Sequence, residues 1–281
     1  MDPADRNTLR AILERRGLRA SRSRGQHFLL SPTVLEDIVA AAELSGRDRV
    51  VEIGAGLGPL TVRLAARAAE VVAYEIDRGL AAALREEVLR GFDNVTVVEA
   101  DVLDVDLLAT APTRVVGNLP YQITSPVLER VLGDARRPPL AVLMVQQEVA
   151  ERLRGSPRAS FLSVFAASFA DVELVRRVSP RAFAPPPRVA SAVVRLRCHR
   201  EAAFAPYPQH PFLALVSDVF RHRRKTMLAA LGFEAALSRE RAAGALAEAG
   251  IPASARPERL AFEQWRALYA ALARRRLRPS S

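Results

Sequence analysis

The rhythm of apolar and polar positions along this chain changes near residue 200. Before that point, short β-branched runs alternate with stretches whose apolar residues recur at helical spacing. Strands are expected at 49–53, 70–76, 95–99, 114–117 and 140–146, and helices at 33–42, 60–68, 79–89, 125–132 and 148–153. Such alternation implies a mostly parallel sheet. Two further β-rich runs, 171–178 and 190–197, flank a Pro-rich loop and read as a hairpin at the sheet edge. After His210 the β-rich pattern stops and Ala, Leu and Arg dominate. Helical spacing returns at 212–220, 224–231, 239–249 and 262–274, with Gly250-Ile251-Pro252 as a helix stop. The organisation expected is a short helix and basic linker over 1–24, a large domain over 25–203 and a helical domain over 204–281. No internal repeat is visible, and 274–278 reads as a frayed tail.

Polar residues break the apolar pattern at the ends of the expected strands. The first strand runs into Gly54-Ala55-Gly56-Leu57-Gly58, a loop that opens a helix and whose glycines permit positive φ and close approach to a ligand. The second ends in Glu75, about twenty residues beyond the first glycine, the distance at which such folds place a carboxylate on ribose hydroxyls. The third runs into Asp101, and the fourth into Asn118-Leu119-Pro120-Tyr121. A glycine loop alone fits NAD equally well. The ordered series points to S-adenosylmethionine, with Glu75 on the ribose, Asp101 near the adenine amino group and Asn118 facing the methyl acceptor.

Asn118-Leu119-Pro120-Tyr121 suits an amino group on a flat base. The Asn118 side chain offers a carbonyl acceptor, and Pro120 biases Leu119 toward extended backbone, so the Leu119 carbonyl can be a second acceptor for one exocyclic NH2. Tyr121 adds a π face for stacking. The plainer alternative is a turn closed by Pro beside a core Tyr.

Composition narrows the function classes. Hydrophobic residues make up 49% of 281 residues, enough for a proper core. No uninterrupted apolar run approaches the ~20 residues that span a bilayer, so a soluble protein without membrane association is expected. Lys+Arg 41 against Asp+Glu 31 gives a formal charge of +10, which favours polyanionic partners. The clustering of the cations is more informative than their total, since nearly all are Arg in an Ala-rich chain. Cys198 is the single cysteine, which excludes an internal disulfide and a multi-Cys metal site and fits a reducing cytoplasm. No metal ligands are expected. Residues 1–24 contain Asp2, Asp5 and Glu14 and lack an apolar signal core.

Five motifs in order resemble one family. Gly25-Gln26-His27-Phe28-Leu29, Glu52-Ile53-Gly54-Ala55-Gly56, Asn118-Leu119-Pro120-Tyr121, the stretch from Ser179-Pro180-Arg181-Ala182-Phe183 through Arg188-Val189, and Phe220-Arg221-His222-Arg223-Arg224-Lys225-Thr226 are similar to signatures of the ribosomal RNA adenine N6,N6-dimethyltransferases, the kasugamycin-sensitivity type that modifies the small subunit. Two positions depart from the common pattern. His27 stands where many relatives carry Asn, and Gln122-Ile123-Thr124 replaces Asn-Ile-Ser. Both changes keep hydrogen-bonding capacity.

The resemblance implies a Rossmann-like class I methyltransferase with a mostly parallel seven-stranded sheet and a small C-terminal all-α domain. It implies transfer of methyl groups from S-adenosylmethionine to N6 of two adjacent adenosines in the 3′-terminal hairpin of 16S ribosomal RNA, by a cytoplasmic monomer with a role in small-subunit biogenesis. His27, Leu29, Gly54, Gly56, Glu75, Asp101 and Asn118 are the expected cofactor contacts. Asn118, Leu119, Tyr121 and Phe183 are expected at the target base, with Phe183 alternatively a core residue and His27 alternatively structural. Arg221, Arg223, Arg224 and Lys225 are the expected RNA contacts. A second cluster, Arg152, Arg154 and Arg158, reads equally as solvated helix surface. The nearest rival is the related large-subunit group that confers macrolide resistance, which usually carries Asn-Ile-Pro-Tyr; Leu119 and the last two motifs favour the small-subunit group. A non-catalytic assembly or transcription factor on the same fold is a second rival, and a nucleotide-dependent dehydrogenase a third.

Overall fold

The computed structural model describes residues 2–21, 25–155, 158–234 and 237–276. In chain order it forms α1 (Arg6–Arg15), β1 (Phe28–Leu29), α2 (Pro32–Ala41), β2 (Arg49–Ile53), α3 (Thr61–Ala65), β3 (Glu70–Glu75), α4 (Arg78–Ala83), β4 (Val95–Glu99), β5 (Arg114–Asn118), α5 (Thr124–Gly133), β6 (Leu140–Gln146), α6 (Gln147–Leu153), α7 (Phe161–Phe169), β7 (Ala170–Val178), β8 (Phe183–Ala184), β9 (Ser191–Cys198), α8 (Gln209–Arg221), α9 (Met227–Glu234), α10 (Arg239–Glu248) and α11 (Phe262–Arg276). The chain separates into two compact units. One comprises Met1–Ala150 with Asp171–Cys198, the other Glu151–Ala170 with His199–Ser281. The partition differs from the linear division expected at 203, because residues 151–170 cluster with the C-terminal helices.

In the first unit seven strands are ordered β4-β3-β2-β5-β6-β9-β7. The pairs β2/β3, β2/β5, β3/β4 and β5/β6 are parallel, and β9 runs antiparallel to β6. Strand β6 is buried from Leu140 to Val145, as a strand covered on both faces must be, and its apolar sequence is correspondingly unbroken. The edge strand β4 is only half-buried. Runs β7 and β9 are neighbours at the opposite edge, where a hairpin was expected. The strand order reverses on either side of β2, opening a crevice at the carboxyl ends of β2 and β5. Gly117 lets those strands close, since a Cβ there would lie 2.7 Å from the Ile53 carbonyl oxygen.

Several helices depart from the sequence expectation. Helix α3 stops at Ala65 rather than 68, and α4 continues as a π-helical turn, Leu84–Val88, instead of one α-helix to 89. Arg15 and Arg16 of the N-terminal segment grip Glu87 of that turn. Helix α7 was not anticipated. It is apolar on nearly every side, so it carries no amphipathic period, and it is marked instead by a capping box between Ser160 and Ser163.

The second unit is helical around an aromatic core. Phe169 packs edge-on against Phe204, which stacks on Phe212, and Phe220 lies against Trp265. Helix α9 begins three residues later than expected, with Thr226 before its first residue and its hydroxyl accepting from the Ala229 N–H. Helix α11 extends through Arg276, so the first part of the tail expected to fray is helical and the remainder lies outside the described residues. Among the described residues no helix is long and apolar enough to cross a membrane.

Candidate functional site

The first unit holds a cavity of about 260 Å³ at the carboxyl ends of its central strands. Its wall includes His27, Leu29, Gly54, Gly56, Glu75, Asp101, Asn118, Leu119, Tyr121 and Phe183, which brings together every residue singled out for the cofactor and the target base.

The glycine loop turns sharply out of β2. Gly54 has φ +76°, and a Cβ there would sit 3.2 Å from the Asn118 carbonyl oxygen, so a side chain is disfavoured both by conformation and by space. Glu75 ends β3 and is buried, and its two oxygens accept hydrogen bonds from the N–H groups of Gly56 (2.8 Å) and Asp77 (2.9 Å). The carboxylate is thus held rigidly at the mouth of the glycine loop. Asp101 accepts from the Leu103 N–H at 2.8 Å through one oxygen.

At the end of β5 the Asn118 side chain donates from Nδ2 to the His27 carbonyl at 3.2 Å, which leaves its own carbonyl oxygen as an acceptor. The Leu119 N–H donates to the Met144 carbonyl at 3.1 Å, and the Leu119 carbonyl accepts no hydrogen bond among the described residues. Pro120 is extended, at φ −55° and ψ 133°. Tyr121 is half-buried; its hydroxyl meets Ser191 Oγ at 2.8 Å, and burial raises its phenol pKa.

Motifs more than 150 residues apart form one corner of this cavity. β1 and β8 pair antiparallel, Phe28 opposite Ala184 and Leu29 opposite Phe183, and the Leu30 N–H donates to the Ala182 carbonyl at 2.8 Å. His27 Nδ1 lies 2.7 Å from the Pro185 carbonyl oxygen, which can only accept, so Nδ1 carries the proton and Nε2 is left as the acceptor of the neutral ring. The His27 and Tyr121 rings lie near-parallel, with centroids 6.2 Å apart. Phe183 is 2% exposed and belongs to the core, yet it lines the cavity, so the core and site alternatives coincide in one side chain.

Two further residues of the cavity wall stand out. Glu52 is fully buried in β2, and its carboxyl pKa is pushed up to about 8, first by burial and further by the Glu75 carboxylate. The Thr61 hydroxyl offsets this only in part; neither Glu52 Oε2 nor Thr61 Oγ1 has a hydrogen bond of ordinary geometry. An acid within a buried apolar strand was the signal available in the sequence. Ile76, directly after Glu75, is 47% exposed and offers a flat apolar surface at the cavity. Among the described residues the acidic side chains of the wall are Glu52, Glu75 and Asp101, no Lys or Arg lines it, and burial favours the uncharged form of Glu52.

The expected RNA contacts lie in the second unit. Arg221 ends α8 and pairs with Asp218, while Arg223, Arg224 and Lys225 are exposed in the turn before α9. Of the second basic cluster, Arg158 is paired with Glu258 and Arg152 and Arg154 are exposed.

Residues 17–274 match the family model described as ribosomal RNA adenine dimethylase. The chain is 42% identical over 279 residues to a protein of Anaeromyxobacter dehalogenans named ribosomal RNA small subunit methyltransferase A, covering 94% of this chain and 97% of that one. It is 41% identical to the protein of the same name from Thermosynechococcus vestitus, covering 89% and 96%. Among solved structures, a dimethyladenosine transferase from Plasmodium falciparum is similar with a TM-score of 0.79 and 25% identity, covering 88% of this chain and 98% of its own. The 23S rRNA methyltransferase ErmE is similar with a TM-score of 0.72 and 33% identity, covering 88% and 99%.

Proposed function

Because this chain belongs to the ribosomal RNA adenine dimethylase family, we propose that its cavity binds S-adenosylmethionine and that the protein dimethylates N6 of two adjacent adenosines in the 3′-terminal hairpin of small-subunit ribosomal RNA. The observation that carries this reading is the pair of unspent acceptors at the end of β5, the Asn118 side-chain carbonyl and the Leu119 backbone carbonyl, beside a cavity that among the described residues is lined by acidic side chains and by no Lys or Arg. Such a wall suits a cofactor bearing a sulfonium and an ammonium.

When bound, S-adenosylmethionine supplies a methyl group already activated by its positive sulfur. The protein's part is positioning. Glu75, fixed by two backbone N–H groups, is suited to accept the two ribose hydroxyls, and Asp101 has one oxygen left for the adenine amino group. Adenine N6 is a poor nucleophile because its lone pair is delocalised into the ring. Accepting both of its N–H bonds at Asn118 and Leu119 favours the tetrahedral, positively charged nitrogen of the transition state and holds it in line; orientation of this kind is worth up to ~7–11 kcal/mol. The target base must leave its stack, and Tyr121 and Phe183 provide aromatic surface that offsets that cost. No side chain has to act as a general base, since N6 sheds its proton after it has become cationic.

Arg221, Arg223, Arg224 and Lys225 are read as phosphate contacts that hold the RNA without reading its sequence. The protein is read as a cytoplasmic monomer whose domains follow the two compact units. The deciding experiment is incubation with isolated small and large ribosomal subunits, followed by mass mapping of the methylated adenosines. Dimethyladenosine at a neighbouring pair in the small-subunit RNA is expected. Modification of the large-subunit RNA alone would instead favour the ErmE-like reading.

A further inference from the structure

The turn between α8 and α9 reads Arg221-His222-Arg223-Arg224-Lys225-Thr226, and the helix that follows buries Met227, Ala230 and Leu231 completely. Phe233 falls off that inward stripe and is 65% exposed, the most exposed large hydrophobic among the described residues. A Phe in water at a helix end contributes nothing to the core. It is nonetheless held in place, because the His222 ring stacks on it with centroids 5.1 Å apart and planes 21° from parallel. The turn carrying His222 is ordered by its own backbone, with the Arg223 N–H on the Phe220 carbonyl at 3.2 Å and the Lys225 N–H on the His222 carbonyl at 2.8 Å. The start of α9 is tied down as well, through Met227 N–H to Ala255 and Leu228 N–H to Ala253.

Exposed aromatic surface can serve a protein partner or a nucleobase, and the neighbouring charges decide between them. Arg223, Arg224 and Lys225 are exposed and have no partner among the described residues, so the hairpin combines a fixed π face with unneutralised cations. That combination matches an unpaired nucleotide, which has a flat base with a phosphate on either side. A paired helix offers phosphates but keeps its base faces stacked.

We propose that Phe233, backed by His222, is a stacking platform for one unpaired RNA base whose flanking phosphates are held by Arg223, Arg224 and Lys225. This rests on the reading of the basic turn as an RNA contact and adds a second place where the protein takes a base out of its stack, in a unit that does not contain the methylation cavity.

The test uses the full chain with two probes: a single-stranded oligoadenylate and a blunt RNA duplex of equal phosphate number. Phe233→Ala is expected to weaken oligoadenylate binding about 5- to 150-fold, with duplex affinity and the salt dependence of both unchanged. Phe233→Trp should bind at least as well as the parent, and Phe233→Leu, which keeps apolar bulk without a π face, should behave like the Ala variant. Unchanged oligoadenylate affinity in Phe233→Ala, full binding by Phe233→Leu, or an equal loss on the duplex would each overturn the platform. The basic turn is checked separately. Changing Arg223, Arg224 and Lys225 together to Gln should lower the salt slope on both probes, by about 0.7 per lost contact on the single strand. An unchanged slope would remove the phosphate contacts and with them the basis of the proposal, and this failure is distinct from a defect at Phe233.

Discussion

The cavity and the basic turn are built in opposite ways. The cavity draws its wall from segments between Gly25 and Phe183, with the glycine loop, Glu75, Asp101, the Asn118–Tyr121 turn and Phe183 each contributed by a different part of the chain. The turn and its aromatic pair come from one αα-hairpin between Asp218 and Phe233. Glu52 and Glu75 lie buried on adjacent strands of the cavity wall, so the Glu52 carboxyl is coupled to its neighbour and to the fold. The turn spreads cations into solvent, where each acts almost independently and is screened by salt. Chemistry that must fix a small molecule to within a fraction of an ångström thus depends on long-range closure, whereas adhesion to a polyanion needs only a short ordered scaffold.

That contrast is tested hardest at Asn118. Asn118→Ala should lower single-turnover methylation of the small subunit by about two orders of magnitude or more, while RNA affinity and its salt slope stay the same. Rapid-quench assays at saturating cofactor, with monomethyl and dimethyl products counted separately, measure this; a near-normal rate would mean that N6 is positioned by other groups. Next in size is Glu75→Ala. Removing charge-assisted ribose contacts worth about 1.5–3 kcal/mol each should weaken cofactor binding in calorimetry, again without touching the salt slope. The same variant strands the N–H groups of Gly56 and Asp77, so its melting temperature should fall too.

Glu52 offers a smaller effect with a distinctive pH signature. Its pKa in the folded chain is about 8 against an ordinary 4.5, so between these values the folded protein keeps a proton that the unfolded chain has released. Wild-type stability is therefore expected to decline as pH rises from about 4.5 through about 8. Glu52→Gln removes that titration, so it should melt like wild type near pH 4.5 and above it at pH 8. Parallel melting curves across that range would show that the carboxyl is not desolvated in solution. Smallest is Tyr121→Phe, which leaves Ser191 Oγ without its partner and should lower stability by about 1 kcal/mol while the methylation rate barely changes. A large rate defect would give the hydroxyl the role assigned to the ring.

What was legible in the sequence follows the same divide between local and distant. β6 and β4 lie where the apolar runs placed them, because a strand's burial is written in its own residues. The residues at the ends of β3 and β5 were identified in the same way, by polar side chains that interrupt apolar runs. Helix α7 escaped because a helix buried on all sides has no period to read. The β1/β8 pairing escaped because two-residue strands carry no pattern and their partners are more than 150 residues apart. The proton on His27 Nδ1 became assignable only once the Pro185 carbonyl was beside it. Glu52 was visible as an acid in an apolar strand, but its perturbation depends on Glu75, which reaches it from the neighbouring strand.

The excursion of residues 151–170 into the helical unit also matters while the chain is being made. The sheet-bearing unit has all of its residues once Cys198 has emerged, but α7 is made early and its phenylalanines must wait for Phe204, Phe212 and the helices beyond them. A chain halted between Cys198 and Phe204 would present a finished sheet with an uncovered oily helix still attached, a natural mark for degradation. Nor could a protease free the helical unit with one cut, because the backbone passes between the units after Ala150, Ala170 and Cys198. The protein is therefore made, and removed, as one object.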